Sequence, residues 1–283
     1  MQILHRYNLR SCGRLHDVDE IVVPKKVIIK TKSSSTQTQC FESEPPILHD
    51  NNLILVFDVE TTGLIKRDYI TKQLPRPDLC PFVTQLSFIV YDISKKNKIE
   101  TFNSYIKIDP SIVIPQVVTE LTGITQEKCQ EQGHPITDVL VAFYKAYRRC
   151  GTIVAHNMMF DSDMILTELQ RNHNSMVIQG CVYPSCIFNS IYNTALNIQL
   201  FCTMVNSTNI CNIITESHNR GRLLPDEWII LEELNGFIVK KRMHKKWPKL
   251  SELHMHFFGI IPQNLHDSMV DTEVCLKCYL KLV

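Results

Sequence analysis

Apolar residues recur along most of this chain at the spacings of buried strands and amphipathic helices, and the places where the spacing changes mark the elements. Leu53-Ile54-Leu55-Val56-Phe57 is a continuous apolar run, the pattern of a strand buried on both faces. Residues 82–92 and 100–108 are β-rich; the second alternates, with Phe102, Ile106 and Ile108 on one face and Lys107 on the other. Helices are predicted over 113–121 and 136–149, the latter from apolar positions 136, 139, 140, 143 and 147. Gly151-Thr152-Ile153-Val154-Ala155 is a second buried strand, 160–172 a helix and 198–201 a strand. Helices near 249–258 and 267–282 close the chain. Strands first, then strands alternating with helices, predict an α/β domain with a mixed central sheet flanked by helices.

Two stretches break this rhythm. Residues 1–47 contain the polar run Lys32-Ser33-Ser34-Ser35-Thr36-Gln37-Thr38-Gln39 and end near Pro45-Pro46, so they are expected to be a flexible extension preceding a domain at 48–283. Within that extension, 21–30 has strand composition without an evident partner. Residues 173–247 are loosely spaced and polar, an expected irregular and β-containing insertion. Pro225-Asp226 and Asn235-Gly236 are turn signals there, the second closing a hairpin between 228–231 and 236–239.

The 283 residues are 44% apolar and 21% charged, which excludes a disordered chain. Thirty Lys and Arg against 29 Asp and Glu leave a net charge of +1, so a polybasic protein is excluded, although charge placement still decides nucleic-acid binding. Eleven scattered cysteines, with no signal peptide and no membrane-length apolar run, predict reduced thiols in an intracellular chain with no membrane partner.

Candidate chemistry lies at the element boundaries. Asp58-Val59-Glu60-Thr61-Thr62-Gly63 follows the first apolar strand, and carboxylates at i and i+2 of an extended chain share a face. Two such acids repel unless protonated or bridged by a cation. Ala155-His156-Asn157-Met158-Met159-Phe160-Asp161 runs from strand to helix, with Asn157 a predicted cap and Asp161 in the first turns. His266-Asp267-Ser268-Met269-Val270-Asp271 opens the last helix, with Asp267 or Ser268 as the cap. Residues five apart within one helix diverge by roughly 140°. A loop position instead lets His266 approach Asp271 from another direction.

In this order, Asp-x-Glu, Asn-x-x-Phe-Asp and His-x4-Asp resemble the motifs of the DEDDh branch of the DnaQ-like 3′–5′ exonucleases. Val83-Thr84-Gln85-Leu86-Ser87, Thr122-Gly123-Ile124-Thr125, Leu250-Ser251-Glu252-Leu253 and Phe258-Gly259 resemble the connecting text of that family. The sister branch places Tyr where this chain has Asp267. The resemblance implies an RNase H-like fold and a site in which Asp58, Glu60, Asp161 and Asp271 hold two Mg²⁺ ions, with Mn²⁺ a substitute. It makes His266 the general base, places Thr61, Thr62 and Gly63 on the terminal nucleotide, and puts Asn157 and Phe160 beside the substrate. The implied substrate is a single-stranded or frayed 3′ end of DNA, RNA being the alternative. The insertion is a candidate docking surface for a polymerase or another protein.

Other signals carry two readings. The stretch 240–249 holds six Lys and Arg, no acid and Trp247; it is either a solvated turn or a phosphate-tracking surface. Cys275-Leu276-Lys277-Cys278, and the group Cys181, Cys186, Cys202 and Cys211, are buried thiols or a zinc site. A non-catalytic binding module on the same fold, or a zinc-dependent binding protein, are the readings from other classes. His254 and His256 fall on different faces of their helix, and 65–81 is a second, shorter insertion after the first motif.

Overall fold

The computed structural model describes residues 49–68, 70–181, 183–218, 224–234 and 237–283. The proposed extension, its candidate strand at 21–30 and the turn at Asn235-Gly236 lie outside the described residues. The main sheet has five strands: β1 (Asp50–Thr61), β2 (Val83–Asp92), β3 (Asn97–Tyr105), β4 (Cys150–Ala155) and β5 (Gln199–Cys202), in the order β3-β2-β1-β4-β5. β1 runs antiparallel to β2 and parallel to β4, so the sheet is mixed as expected and β1 is its centre.

Between these strands lie α1 (Gln116–Thr122), α2 (Gln126–Gln132), α3 (Ile136–Arg149) and α4 (Met158–Arg171). α5 (His173–Ile178), α6 (Ser190–Ala195) and α7 (Thr203–Cys211) follow, and α8 (Leu250–Phe258) and α9 (Ser268–Leu282) close the chain. β6 (Ile214–Glu216), β7 (Glu227–Leu234) and β8 (Phe237–Lys245) form a separate sheet in the order β6-β8-β7. The 173–247 stretch is therefore more regular than its spacing suggested.

Alternation along β1 separates two cores. Leu55, Phe57 and Val59 pack with Leu86, Phe88 and Val90 of β2 and with Val139, Leu140, Phe143 and Tyr147 of α3. Ile54 and Val56 face the other way, onto Cys275, Leu276 and Tyr279 of α9. Because side chains alternate with period two, Asp58 and Glu60 continue the Ile54–Val56 series toward the α9 face. The first core is strongly aromatic: the Phe57 and Phe143 rings meet edge-on at 5.0 Å between centroids.

Boundaries shift for identifiable reasons. The helix expected from residue 113 begins at Gln116, because Pro115 occupies the N-cap position with extended backbone, ψ 142°. α1 ends at Gly123, where φ is +68°, a conformation suited to glycine. β3 stops at Tyr105, and Ile106 instead bridges His134. The basic stretch is not a turn: Lys240, Lys241, Arg242 and His244 lie on β8 paired with β7, and Lys245 ends β8 paired with Ile214 of β6.

Candidate active site

Three elements bring the predicted acids together. β1 presents Asp58 and Glu60, α4 presents Asp161 in its first turn, and α9 presents Asp271 in its first turn. Asp161 is 3% exposed, and its Oδ1 accepts the Val59 backbone N–H at 3.3 Å, which ties α4 to the strand between the two β1 acids. Asn157 stands at the N-cap of α4, but its side chain makes no capping bond. Its carbonyl accepts from Phe160 and Asp161 instead. Asp267 is the true side-chain cap of α9, accepting from the Met269 and Val270 N–H groups at 2.9 and 3.3 Å.

A polar clasp on β2 sets the docking of α9. The Ser87 and Ser268 hydroxyls are 2.6 Å apart, the Ser268 N–H donates to Gln85 Oε1 at 3.3 Å, and Thr272 Oγ1 donates to the Ser268 carbonyl at 2.7 Å. Gln85 pairs with Glu60 and Ser87 with Asp58 across the β1–β2 ladder. These polar residues sit where an otherwise apolar strand faces the helix, and that interruption was the sequence signal for them.

His266 lies in the loop before α9 with φ +71°, exposed, and its backbone N–H donates to Asp271 Oδ2 at 3.0 Å. Ligand atoms of Glu60, His266 and Asp271 all lie within 4.8 Å of one another, the one such group of metal-ligating side chains among the described residues. No such group contains a cysteine. Cys275 packs under the sheet and Cys278 against α8 residues, so the two sulfurs serve different cores. Burial pushes the Cys278 thiol up to about 12, the state of an inert core thiol.

The acids bear the electrostatic signature of a cation site. Burial, then Asp161, Asp271 and Glu60, holds Asp58 well above the usual carboxylate range. Burial and the neighbouring acids raise Glu60 to about 8; burial raises Asp161 to about 7 and Asp271 to about 6. Asp271 Oδ1 is buried without a hydrogen-bond partner while Oδ2 is occupied by His266. A buried carboxylate oxygen with no donor, inside a cluster of like charges, is stabilised by a bound cation, so the residues fit the expected divalent metal.

The remaining predicted contacts are mostly engaged within the chain. Thr61 Oγ1 donates to the Gly63 carbonyl at 2.6 Å, and Thr62 Oγ1 accepts the Phe82 N–H at 3.0 Å. Asn157 is exposed, whereas Phe160 is partly buried against the main core. The insertion after the first motif is pinned: Arg67 pairs with Asp163 of α4, and Arg171 donates to the carbonyls of Pro77, Cys80 and Pro81. The Arg171 guanidinium also pairs with Glu168 and lies 3.8 Å from the Phe82 ring centroid. Gln85, Ser87 and Ser268 stand within family-like stretches of the sequence that signal no contact among them, and Arg171, which belongs to no motif, was passed over.

A mixed sheet with acids converging at the end of its central strand is the arrangement expected of a metal-dependent nuclease. Residues 55–183 match the RNase_T family, exonucleases. That stretch is similar to the exonucleases, in line with the DEDDh resemblance of the motifs. It is 32% identical over 135 residues to the PolC-type DNA polymerase III of Streptococcus pyogenes serotype M2 (strain MGAS10270), covering 48% of this chain and 8% of that polymerase. The same values hold for the serotype M18 (strain MGAS8232) polymerase, so the chain spans 8% of the length of these curated relatives. E. coli exonuclease I in complex with a dT13 oligonucleotide superposes with a TM-score of 0.51 at 17% identity, over 82% of this chain and 41% of that one. The zinc-bound E. coli exonuclease I–single-stranded DNA complex gives 0.52 at 17%, over 83% and 40%. These structures share the RNase H-like fold. No helix among the described residues is long and apolar enough to cross a membrane.

Proposed function

We propose that this protein removes nucleoside 5′-monophosphates from the 3′ end of single-stranded or frayed DNA. The observation that carries the reading is the convergence of Asp58, Glu60, Asp161 and Asp271, with His266 at the rim of the same crevice. Two Mg²⁺ ions, replaceable by Mn²⁺, are the cations assigned to these four acids; hard oxygen ligands suit them. When bound, such ions activate water and neutralise charge on the phosphate.

The chain's own groups then have distinct tasks. The imidazole of His266 accepts a proton from the attacking water as the new P–O bond forms. The bond from phosphorus to the 3′-oxygen of the preceding nucleotide breaks, and that oxygen takes a proton from solvent, leaving a shortened strand with a 3′-hydroxyl. Asp271 holds the His266 backbone in place, and Asp161, through Val59, fixes α4 against β1. Backbone groups at Thr61, Thr62 and Gly63, with exposed Asn157 and the edge of Phe160, are assigned to the terminal nucleotide.

DNA is preferred over RNA because the matching relatives are DNA polymerases and the superposed exonuclease I holds a deoxyoligonucleotide. The same polymerase likeness supports docking on a polymerase through residues 173–247. Buried thiols such as Cys129, Cys150 and Cys275 support an intracellular setting. The test compares labelled single-stranded DNA, duplex DNA with a mismatched 3′ end, and RNA in Mg²⁺, Mn²⁺ and EDTA, with Asp58→Ala as control. Metal-dependent loss of 3′ nucleotides from DNA, abolished in the variant, is expected; no loss from any substrate, or equal activity of the variant, overturns the reading.

A further inference from the structure

The segment joining β8 to α8 is fastened to the active-site end of β4. His156, immediately after β4 and one residue before the start of the α4 cap, lies 3.0 Å from the Pro248 carbonyl through Nε2 and 2.9 Å from Thr203 Oγ1 through Nδ1. A carbonyl can only accept, so Nε2 carries the proton and Nδ1 accepts from the threonine hydroxyl. Burial lowers His156 to about 4, which keeps this neutral form at physiological pH. The Lys246 N–H donates to the Ile213 carbonyl at 3.0 Å, so the backbone is held on both sides of Trp247.

Yet Trp247 is 59% exposed. A large aromatic side chain left in solvent by a loose loop needs no explanation; one displayed from a backbone anchored at both flanks does. Around it stand exposed Lys245 and Lys249, and Lys246 paired with Glu252. Glu252 is paired with Lys246, and the Lys245 ammonium donates to the neutral Asn209 Oδ1 at 3.2 Å, so the cations here outnumber the acid. Farther along β8, Lys240 is exposed whereas Lys241 is paired with Glu232. An aromatic surface amid surplus cations suits a single-stranded nucleic acid, whose bases stack and whose phosphates take the charge. A dry protein interface instead excludes lysine from its centre.

We propose that Trp247 is a stacking platform for a base upstream of the cleaved bond, and that Lys245 and Lys249 contact the adjoining phosphates. This rests on the exonuclease reading above and gives the site a second, outer contact with its substrate. It also narrows the basic stretch of 240–249 to the residues nearest α8.

The test uses the full chain and two measurements. In EDTA, with Trp228→Phe removing the other tryptophan, oligo(dT) is expected to quench Trp247 fluorescence. Replacing Lys245 and Lys249 with Gln is expected to lower the salt slope of this binding by about 0.7 per lysine. With Mg²⁺, Trp247→Ala is expected to raise KM about tenfold on long oligo(dT) while leaving turnover of a dinucleotide unchanged, and Trp247→Phe to recover most of the loss. Cleavage without quenching, and with KM unchanged in Trp247→Ala, overturns the platform and leaves the exonuclease reading intact. Quenching without any cleavage overturns that reading and leaves the platform standing.

Discussion

The backbone N–H of His266 donates to Asp271 Oδ2 at 3.0 Å, leaving Oδ1 of the same carboxylate buried without a donor. One oxygen thus organises the loop, and the other is left for a cation. Asp271→Asn can keep the first role and loses the second. Expected is a folded protein with turnover reduced by about 100-fold or more, read from strand shortening alongside circular dichroism. Full activity in the variant would remove Asp271 from the cation site.

Metal-free stability should fall as pH rises. Glu60, Asp161 and Asp271 titrate in the folded chain at about 8, 7 and 6, above the ordinary carboxylate range near 4. Their contribution is fully present below about pH 4 and is lost as pH climbs through about 6 to 8. His156 has the opposite sign: its value of about 4 means stability is lost as pH falls below about 6.5. The decline is therefore cleanest from about pH 6.5 to 8. In EDTA the melting temperature should drop across that window, Mg²⁺ should restore it, and Glu60→Gln should flatten it. A flat profile for the metal-free wild type contradicts the assignment.

Arg171 holds the insertion after the first motif against α4. Arg171→Met leaves Glu168, only 3% exposed, without its cation. The expected cost is about 3–5 kcal/mol by urea denaturation, with Glu168→Gln in the same chain recovering part of it. Proteolysis within 77–82 should accelerate in the single variant. An unchanged unfolding midpoint would show that the carbonyl contacts are idle.

The clasp between β2 and α9 is expected to contribute modestly to stability and measurably to turnover. Ser268→Ala removes a buried hydroxyl pair but leaves Ser87 bonded to Asn103 at 2.9 Å. A loss of about 1–2 kcal/mol with an unchanged denaturant slope is expected, together with lower kcat at similar KM. Unaltered kcat would mean that Asp271 finds its place without the clasp.

Much of this was legible because the core strands and the acids obey short-range rules. The apolar run at residues 53–57 announced β1, and period two placed Asp58 and Glu60 on one face. The 3.6-residue pattern gave α3 its observed ends, Ile136 and Arg149. What escaped had no periodicity to show. α2 and α6 have seven and six residues and are started by side-chain caps, Thr125 onto Lys128 and Asn189 onto Ile191 and Tyr192. The length of β8 was hidden because its outer half carries charge in place of apolar residues. Asn157 shows the limit of position alone: it stands where a cap belongs and does not cap.

His266 carries its imidazole on a backbone turned to φ +71°, a conformation that disfavours a side chain by about 1–2 kcal/mol and costs glycine almost nothing. The loop would therefore be more relaxed without the residue its proposed chemistry requires. His266→Gly is expected to melt at or above the wild type while losing turnover. Since the position is open to solvent, imidazole added from the buffer should restore part of the rate. The histidine then behaves as a detachable reagent, mounted on a bend whose shape the rest of the chain maintains.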